Sequence, residues 1–162
     1  MFEWLRTGES SCQTVLSYAA VSSLEPDPRA RLRSVLDAVP VAGVVSAYVF
    51  GSIVEGRAHR ESDVDVGVLF DRCRYPDDAS RFEAQLQLRR HLSPASVGRD
   101  VDLVVLNDVS PVLARRIVAG ERVYCADSAL DHAFRRDTQL RAADLDPFLQ
   151  KMRRRLHRSL TR

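Results

Sequence analysis

The spacing of apolar and polar residues divides the chain into alternating helical and extended segments. After Pro28, the residues Ala30, Leu32, Val35, Leu36 and Val39 recur at the spacing of one helix face, which predicts a helix over Arg29 to Val39 stopped by Pro40. The period then changes. Val44 to Phe50 is a β-branched apolar run ending at Gly51-Ser52, as expected of a buried strand feeding a tight turn. Asp63 to Phe70, DVDVGVLF, alternates carboxylates with valines and predicts a second strand, and Asp100 to Leu106, DVDLVVL, predicts a third. Between them, Asp78 to Leu92 sets Phe82, Leu86 and Leu88 among charged residues in an amphipathic helix, which Ser93-Pro94 and Gly98 break into a loop. Ser110 is an N-cap with Pro111 at the first helical position, so a helix over Pro111 to Ala119 should end at Gly120, with a short strand over Arg122 to Cys125. Asp127 or Ser128 caps a helix running to about Ala143. After Asp146-Pro147 a last helix carries Phe148, Leu149, Met152, Leu156 and Leu160.

Composition narrows the class. With 162 residues, 45% hydrophobic and 28% charged, the chain can bury one core, and disorder, a fibre or a disulfide scaffold is excluded. Residues 1–28, rich in Ser and closing on Glu25-Pro26-Asp27-Pro28, are expected to form a flexible leader. The longest uncharged stretch, Ala38 to Val54, is interrupted by Pro40, Gly43 and Gly51 and is too short to span a bilayer. The first residues also lack a basic start followed by an apolar run, so a cytoplasmic location is expected, with no membrane contact. Cys12, Cys73 and Cys125 lie far apart and suit neither a disulfide framework nor a metal knuckle. The net charge of +2 is unevenly placed: from Arg135 onward there are nine basic residues against three acidic ones.

The chemistry concentrates in Gly51 to Asp65, GSIVEGRAHRESDVD, where Gly-Ser is followed after ten residues by Asp-x-Asp. Alternate strand residues share a face, so Asp63 and Asp65 project side by side. Their repulsion is accounted for if a divalent cation sits between them, and Mg²⁺ prefers such hard oxygen ligands and shares them with substrate phosphates. A third carboxylate from a neighbouring strand would complete a two-metal site of the kind that steadies attacking and leaving oxygens in phosphoryl transfer. Asp100 and Asp102 both fit that face. Asp102 is preferred because the aliphatic run that anchors the strand begins directly after it. Gly51 lets the backbone approach a ligand, and Ser52 offers its hydroxyl and amide to phosphate oxygens.

These residues resemble the nucleotidyltransferase superfamily with a DNA polymerase β-like palm, and within it the minimal nucleotidyltransferases. The likeness covers Phe50-Gly51-Ser52, Gly56-Arg57, Ser62-Asp63-Val64-Asp65 and Val101 to Leu106, and is greatest to MntA-type antitoxins of type VII toxin–antitoxin systems. The resemblance implies an α+β (α/β-like) fold: a mixed central sheet flanked by helices, with a nucleotidyltransferase core over 29–126 and a basic, helical C-terminal extension over 127–162 packed on it. It implies that Asp63, Asp65 and Asp102 bind two Mg²⁺ ions and that Gly51 and Ser52 hold the phosphates of ATP. It further implies an adenylyltransferase that transfers AMP to a hydroxyl, a tyrosine, of a HEPN-domain ribonuclease toxin encoded by a neighbouring gene, silencing the toxin and binding it as a hetero-oligomer. Many relatives follow Gly-Ser with an Arg and carry a second Arg two positions on. Here those positions hold Ile53 and Glu55, so Arg57 or Arg60 is expected to compensate, and Arg57 is the nucleotide-binding candidate.

Other readings remain. The Ile53 and Glu55 departures suit an antitoxin that binds its toxin with little or no catalysis, and an aminoglycoside-type nucleotidyltransferase would share the same motif. Solvated carboxylates at a strand edge would produce the same alternation at Asp63, Asp65 and Asp102. Serine catalysis by Ser52 lacks a recognisable histidine partner: His59 reads as a loop residue, and His91, His132 and His157 as surface or packing residues. The arginines Arg153, Arg154, Arg155 and Arg158 form a solvated face, dock on an acidic protein or bind nucleic acid. The last is the weakest choice, because aromatics do not interleave with the basic residues.

Overall fold

The structure is a computed structural model that describes residues 27–38, 42–57 and 62–160. Residues 1–26 of the expected leader, Cys12 among them, and His59 and Arg60 lie outside the described residues, whereas Pro28, placed at the end of that leader, opens the first helix; of residues 156–160 only the backbone is described. The order of elements is α1 (Pro28–Ala38), β1 (Val44–Phe50), a 3₁₀ turn (Gly51–Ile53), β2 (Val64–Phe70), α2 (Asp78–His91), α3 (Pro94–Val97), β3 (Val101–Val105), α4 (Pro111–Val118), β4 (Glu121–Cys125) and α5 (Ser128–Leu160).

The four strands form one mixed sheet in the order β3-β2-β1-β4. β1 runs antiparallel to both β2 and β4, whereas β2 and β3 are parallel. This is the expected α+β arrangement. Period-2 alternation sends the two sides of each strand into different layers. Val64, Val66, Val68 and Phe70 of β2 join Leu32 and Leu36 of α1 and Ala84 and Leu88 of α2 in one core. On the other face Val45, Tyr48, Leu69 and Leu106 pack under Ala114, Ile117 and Val118 of α4. Helix α4 lies so close to β2 that a Cβ on Gly67 would run into the Ile117 side chain.

Three elements depart from expectation. The segment after Ser93 is not all loop: Pro94 opens the short helix α3, and Gly98 closes it at φ +83° by donating to Pro94 O at 2.7 Å. The inward face of α2 is Arg81, Ala84 and Leu88, while Phe82 and Leu86 are exposed. Arg81 is drawn in because its guanidinium donates to Asp108 Oδ1 at 2.8 Å and to Tyr75 O at 3.0 Å and also pairs with Asp78, which satisfies a buried charge. Finally, the two C-terminal helices are one: α5 spans 33 residues with Pro147 inside it. A proline deletes a single intrahelical hydrogen bond, and at this point Arg115 of α4 grips Asp146 through two hydrogen bonds of 2.9 and 3.2 Å.

Helix α5 is fastened to the sheet by a buried polar cluster that no spacing in the sequence announces. Asp131 is wholly buried, accepting from the Tyr48 hydroxyl at 2.5 Å and from Arg122 at 2.7 Å. Burial opposes its ionisation, but the hydroxyls of Tyr48 and Ser46 and the hydrogen bond and charge of Arg122 together outweigh it and hold the carboxyl below its ordinary range. Burial, followed by the anionic Asp131, pushes the Tyr48 phenol well up. Cys73 and Cys125 are free thiols. No helix among the described residues is long and apolar enough to cross a membrane.

Candidate active site

The site lies where β1 ends and β2 and β3 begin. In β2, Asp65, Gly67 and Leu69 face the α4 layer; in β3, Asp102 and Val104 take the same side. Ile117 caps Gly67. Asp65 is only partly covered, and Asp102 is exposed.

Register brings the candidate carboxylates together. Asp65 and Asp102 are direct partners across the parallel β2–β3 pair. Asp63 stands exposed one residue before β2. The three interact electrically: burial first, then the negative charges of Asp102 and Asp63, pushes the Asp65 carboxyl above its ordinary value. Asp100 lies just before the paired stretch, where its carbonyl accepts from Val64 N at 2.8 Å, and its charge is not among those that shift Asp65.

The Gly51 turn abuts the same carboxylates. Phe50 pairs with Asp65, and Gly51 follows at φ +70°, a left-handed conformation that favours glycine. A Cβ at Gly51 would strike Asp65 Oδ2 and lie 3.1 Å from its Cγ, so both the backbone angle and the close approach require glycine. Ser52 is half-buried in the turn, which is tightened by Glu55 N donating to Gly51 O at 3.1 Å and Arg57 N donating to Ser52 O at 2.9 Å. Ile53 is buried in the α1/α2-side core and cannot offer a polar group to a ligand.

The arginine candidates are arranged in a way the sequence did not foretell. Arg57 is exposed but engaged: its guanidinium pairs with Glu55. Arg116, reaching across from α4, approaches the other carboxylate oxygen of Glu55 at 3.7 Å. The Arg57 hydrogen bond and charge hold the Glu55 carboxyl below its ordinary range. Arg116 sits 61 residues after Glu55 in the chain and meets it only because α4 folds back over the sheet. Its sequence context, an amphipathic helix with two adjacent arginines, carries no signal of that meeting.

The donor set suits a hard cation. Asp63, Asp65 and Asp102 offer oxygen only, repel one another, and are unpaired with any arginine or lysine among the described residues. The described residues nonetheless contain no group of three or more His, Cys, Asp or Glu side chains already gathered as a metal-binding cluster. A cation would have to draw these carboxylates inward.

The family profile described as Polymerase beta, Nucleotidyltransferase matches residues 37–129, which run from the end of α1 to the start of α5 and contain every residue described above for the site. A curated relative, the protein adenylyltransferase MntA of Shewanella oneidensis, is 37% identical over 71 residues, covering 44% of this chain. The chain thus spans less than half of that relative, 46% of its length. Among solved structures, a chain from a toxin–antitoxin crystal structure with AMP-PNP is similar with a TM-score of 0.54 and 26% identity, over 83% of this chain and 98% of that one. A chain from a complex of tri-AMPylated Shewanella oneidensis HEPN toxin with MNT antitoxin shares the fold at a TM-score of 0.51 and 21% identity, over 84% of this chain and 100% of that one.

Proposed function

The chain belongs to the polymerase beta nucleotidyltransferase family, and we propose that it is a Mg²⁺-dependent protein adenylyltransferase antitoxin that moves AMP from ATP to a tyrosine hydroxyl of a HEPN-type toxin. The observation that carries this reading is the placement of Asp63, Asp65 and Asp102 at the adjoining starts of β2 and β3 beside the Gly51-Ser52 turn. The 37% identity to protein adenylyltransferase MntA supports the acceptor class, and likeness to a toxin–antitoxin chain solved with AMP-PNP supports both the nucleotide and the partner.

In this reading Asp63, Asp65 and Asp102 would hold the metal, which when bound neutralises phosphate charge and makes the attacking hydroxyl more acidic. Ser52 and the amides at the start of its turn seat the phosphates, and Gly51 lets that turn close against Asp65. The acceptor oxygen bonds to the α-phosphorus, the bond to the bridging oxygen breaks, and pyrophosphate leaves. Asp102, the most open of the strand carboxylates, takes the hydroxyl proton as general base. Catalysis is therefore positional and electrostatic.

Replacing Asp63 and Asp65 by Asn and scoring rescue of growth from the toxin tests the reading. Loss of rescue, with the variant still folded and still bound to toxin, is expected. Rescue that survives the double change sinks the enzymatic account and leaves an antitoxin that works by occlusion, the second reading, which Ile53 in the core and Glu55 in the turn favour.

A further inference from the structure

Glu55 is the anion of the Gly51 turn, and it pairs with two arginines, Arg57 and Arg116. Its backbone N–H is tied to Gly51 O, and the N–H of Arg57 to Ser52 O, so the side chains of both residues are launched from the phosphate-seating turn itself. One carboxylate oxygen takes Arg57; the other lies 3.7 Å from Arg116 of α4. Both guanidinium groups are largely exposed, at 74% and 73% of their side-chain area, and have N–H groups left to donate. Glu55, an exposed carboxylate, carries its negative charge at neutral pH, and the Arg57 hydrogen bond and charge hold its carboxyl below the ordinary range.

We propose that Glu55 is a latch displaced by substrate, and that Arg116 is a nucleotide-binding residue supplied by α4. The inference rests on the nucleotidyltransferase reading and adds to it the source of the phosphate cations. Without nucleotide, Glu55 occupies Arg57 and Arg116. A triphosphate entering the turn offers more negative charge than one carboxylate and better geometry for two planar guanidinium forks, so it exchanges partners with Glu55. The carboxylate then opposes binding in two ways: it competes for the arginines and it repels the phosphates. A carboxylate that merely positioned the arginines would have the opposite effect, so the sign of its removal separates the two roles.

The test is calorimetric binding of AMP-PNP with Mg²⁺ to the full chain and to Glu55→Gln, Arg116→Ala and the double variant. Glu55→Gln keeps an oxygen able to accept from Arg57 but loses the charge, and should bind about two- to fivefold tighter, the range expected of a solvent-exposed charge pair. Arg116→Ala should bind AMP-PNP about two- to fivefold more weakly while leaving the affinity for adenosine unchanged, because the lost contact is to phosphate. Both effects should shrink as salt rises from low to physiological ionic strength. Weaker or equal binding by Glu55→Gln overturns the latch, and unchanged AMP-PNP affinity of Arg116→Ala overturns the second assignment; with wild-type binding intact, either result leaves the adenylyltransferase reading standing. Failure of the wild-type chain to bind AMP-PNP at all overturns both.

Discussion

Gly51→Ala isolates the contact on which the site depends, the seating of the turn against Asp65. Two costs add. Alanine at φ +70° pays the left-handed penalty of about 1–2 kcal/mol. Its methyl group also strikes Asp65 Oδ2 and crowds Cγ at 3.1 Å, so Asp65 must leave its rotamer for about another 0.5–1.5 kcal/mol. The sum, roughly 1.5–3.5 kcal/mol, should lower Tm by roughly 3–14 °C for a chain of this size. A double-mutant cycle with Asp65→Ala, read by urea unfolding, separates the terms. Truncating Asp65 removes the atoms that clash and leaves only its Cβ, at an ordinary 3.5 Å, so in that background Gly51→Ala should cost the backbone penalty alone and the cycle should show about 0.5–1.5 kcal/mol of coupling. Equal costs in the two backgrounds would refute the packing of the turn on Asp65, and with it the argument that glycine is required twice over.

Removing the α5 fastening should cost a comparable amount: Asp131→Asn is expected to destabilise by about 2–3 kcal/mol and Tyr48→Phe by about 1–2 kcal/mol in chemical denaturation, since each strands a partner at a buried site. Asp131 has a depressed folded value, so its stabilisation is complete above the ordinary carboxylate range and disappears as pH falls through that value; the Asn variant should show a shallower acid loss. Asp65 has the reverse sign. Its raised value means that stability from this group is present at acid pH and lost as pH rises through it, so without metal Asp65→Asn should be more stable than wild type at neutral pH, and Mg²⁺ should raise the Tm of wild type but not of Asp63→Asn/Asp65→Asn. Arg81→Met should lower stability by about 1–3 kcal/mol by leaving Asp108 and Tyr75 O without their donor, measurable as a drop in the urea midpoint.

The parts of this site legible in the sequence are those that obey local rules. Alternation places Asp63 and Asp65 on one side of a strand, and the Gly-Ser pair marks a turn at the end of the preceding one, so the motif's two halves could be set near each other before any coordinates. That Asp102 faces Asp65 directly depends on the β2–β3 register, which a parallel pair joined through α2 and α3 does not encode locally. Arg81 turning inward, Arg116 meeting Glu55 and Asp131 anchoring Tyr48 are all contacts between distant segments. Polar residues of this kind look solvated in a sequence until a partner elsewhere in the chain compensates their burial. Pro147 misled for another reason: its local rule is sound, but one missing hydrogen bond does not end a helix whose flanks continue it on both sides.

The central claim is transfer of AMP under the control of Asp63 and Asp65. Its most direct test is the intact mass of the cognate HEPN-type toxin after incubation with this protein, Mg²⁺ and ATP, beside the Asp63→Asn/Asp65→Asn variant. The account predicts toxin heavier by whole AMP units with wild type only, mapping to tyrosine. An unchanged toxin mass despite a stable complex, or the same added mass with the variant, would contradict it.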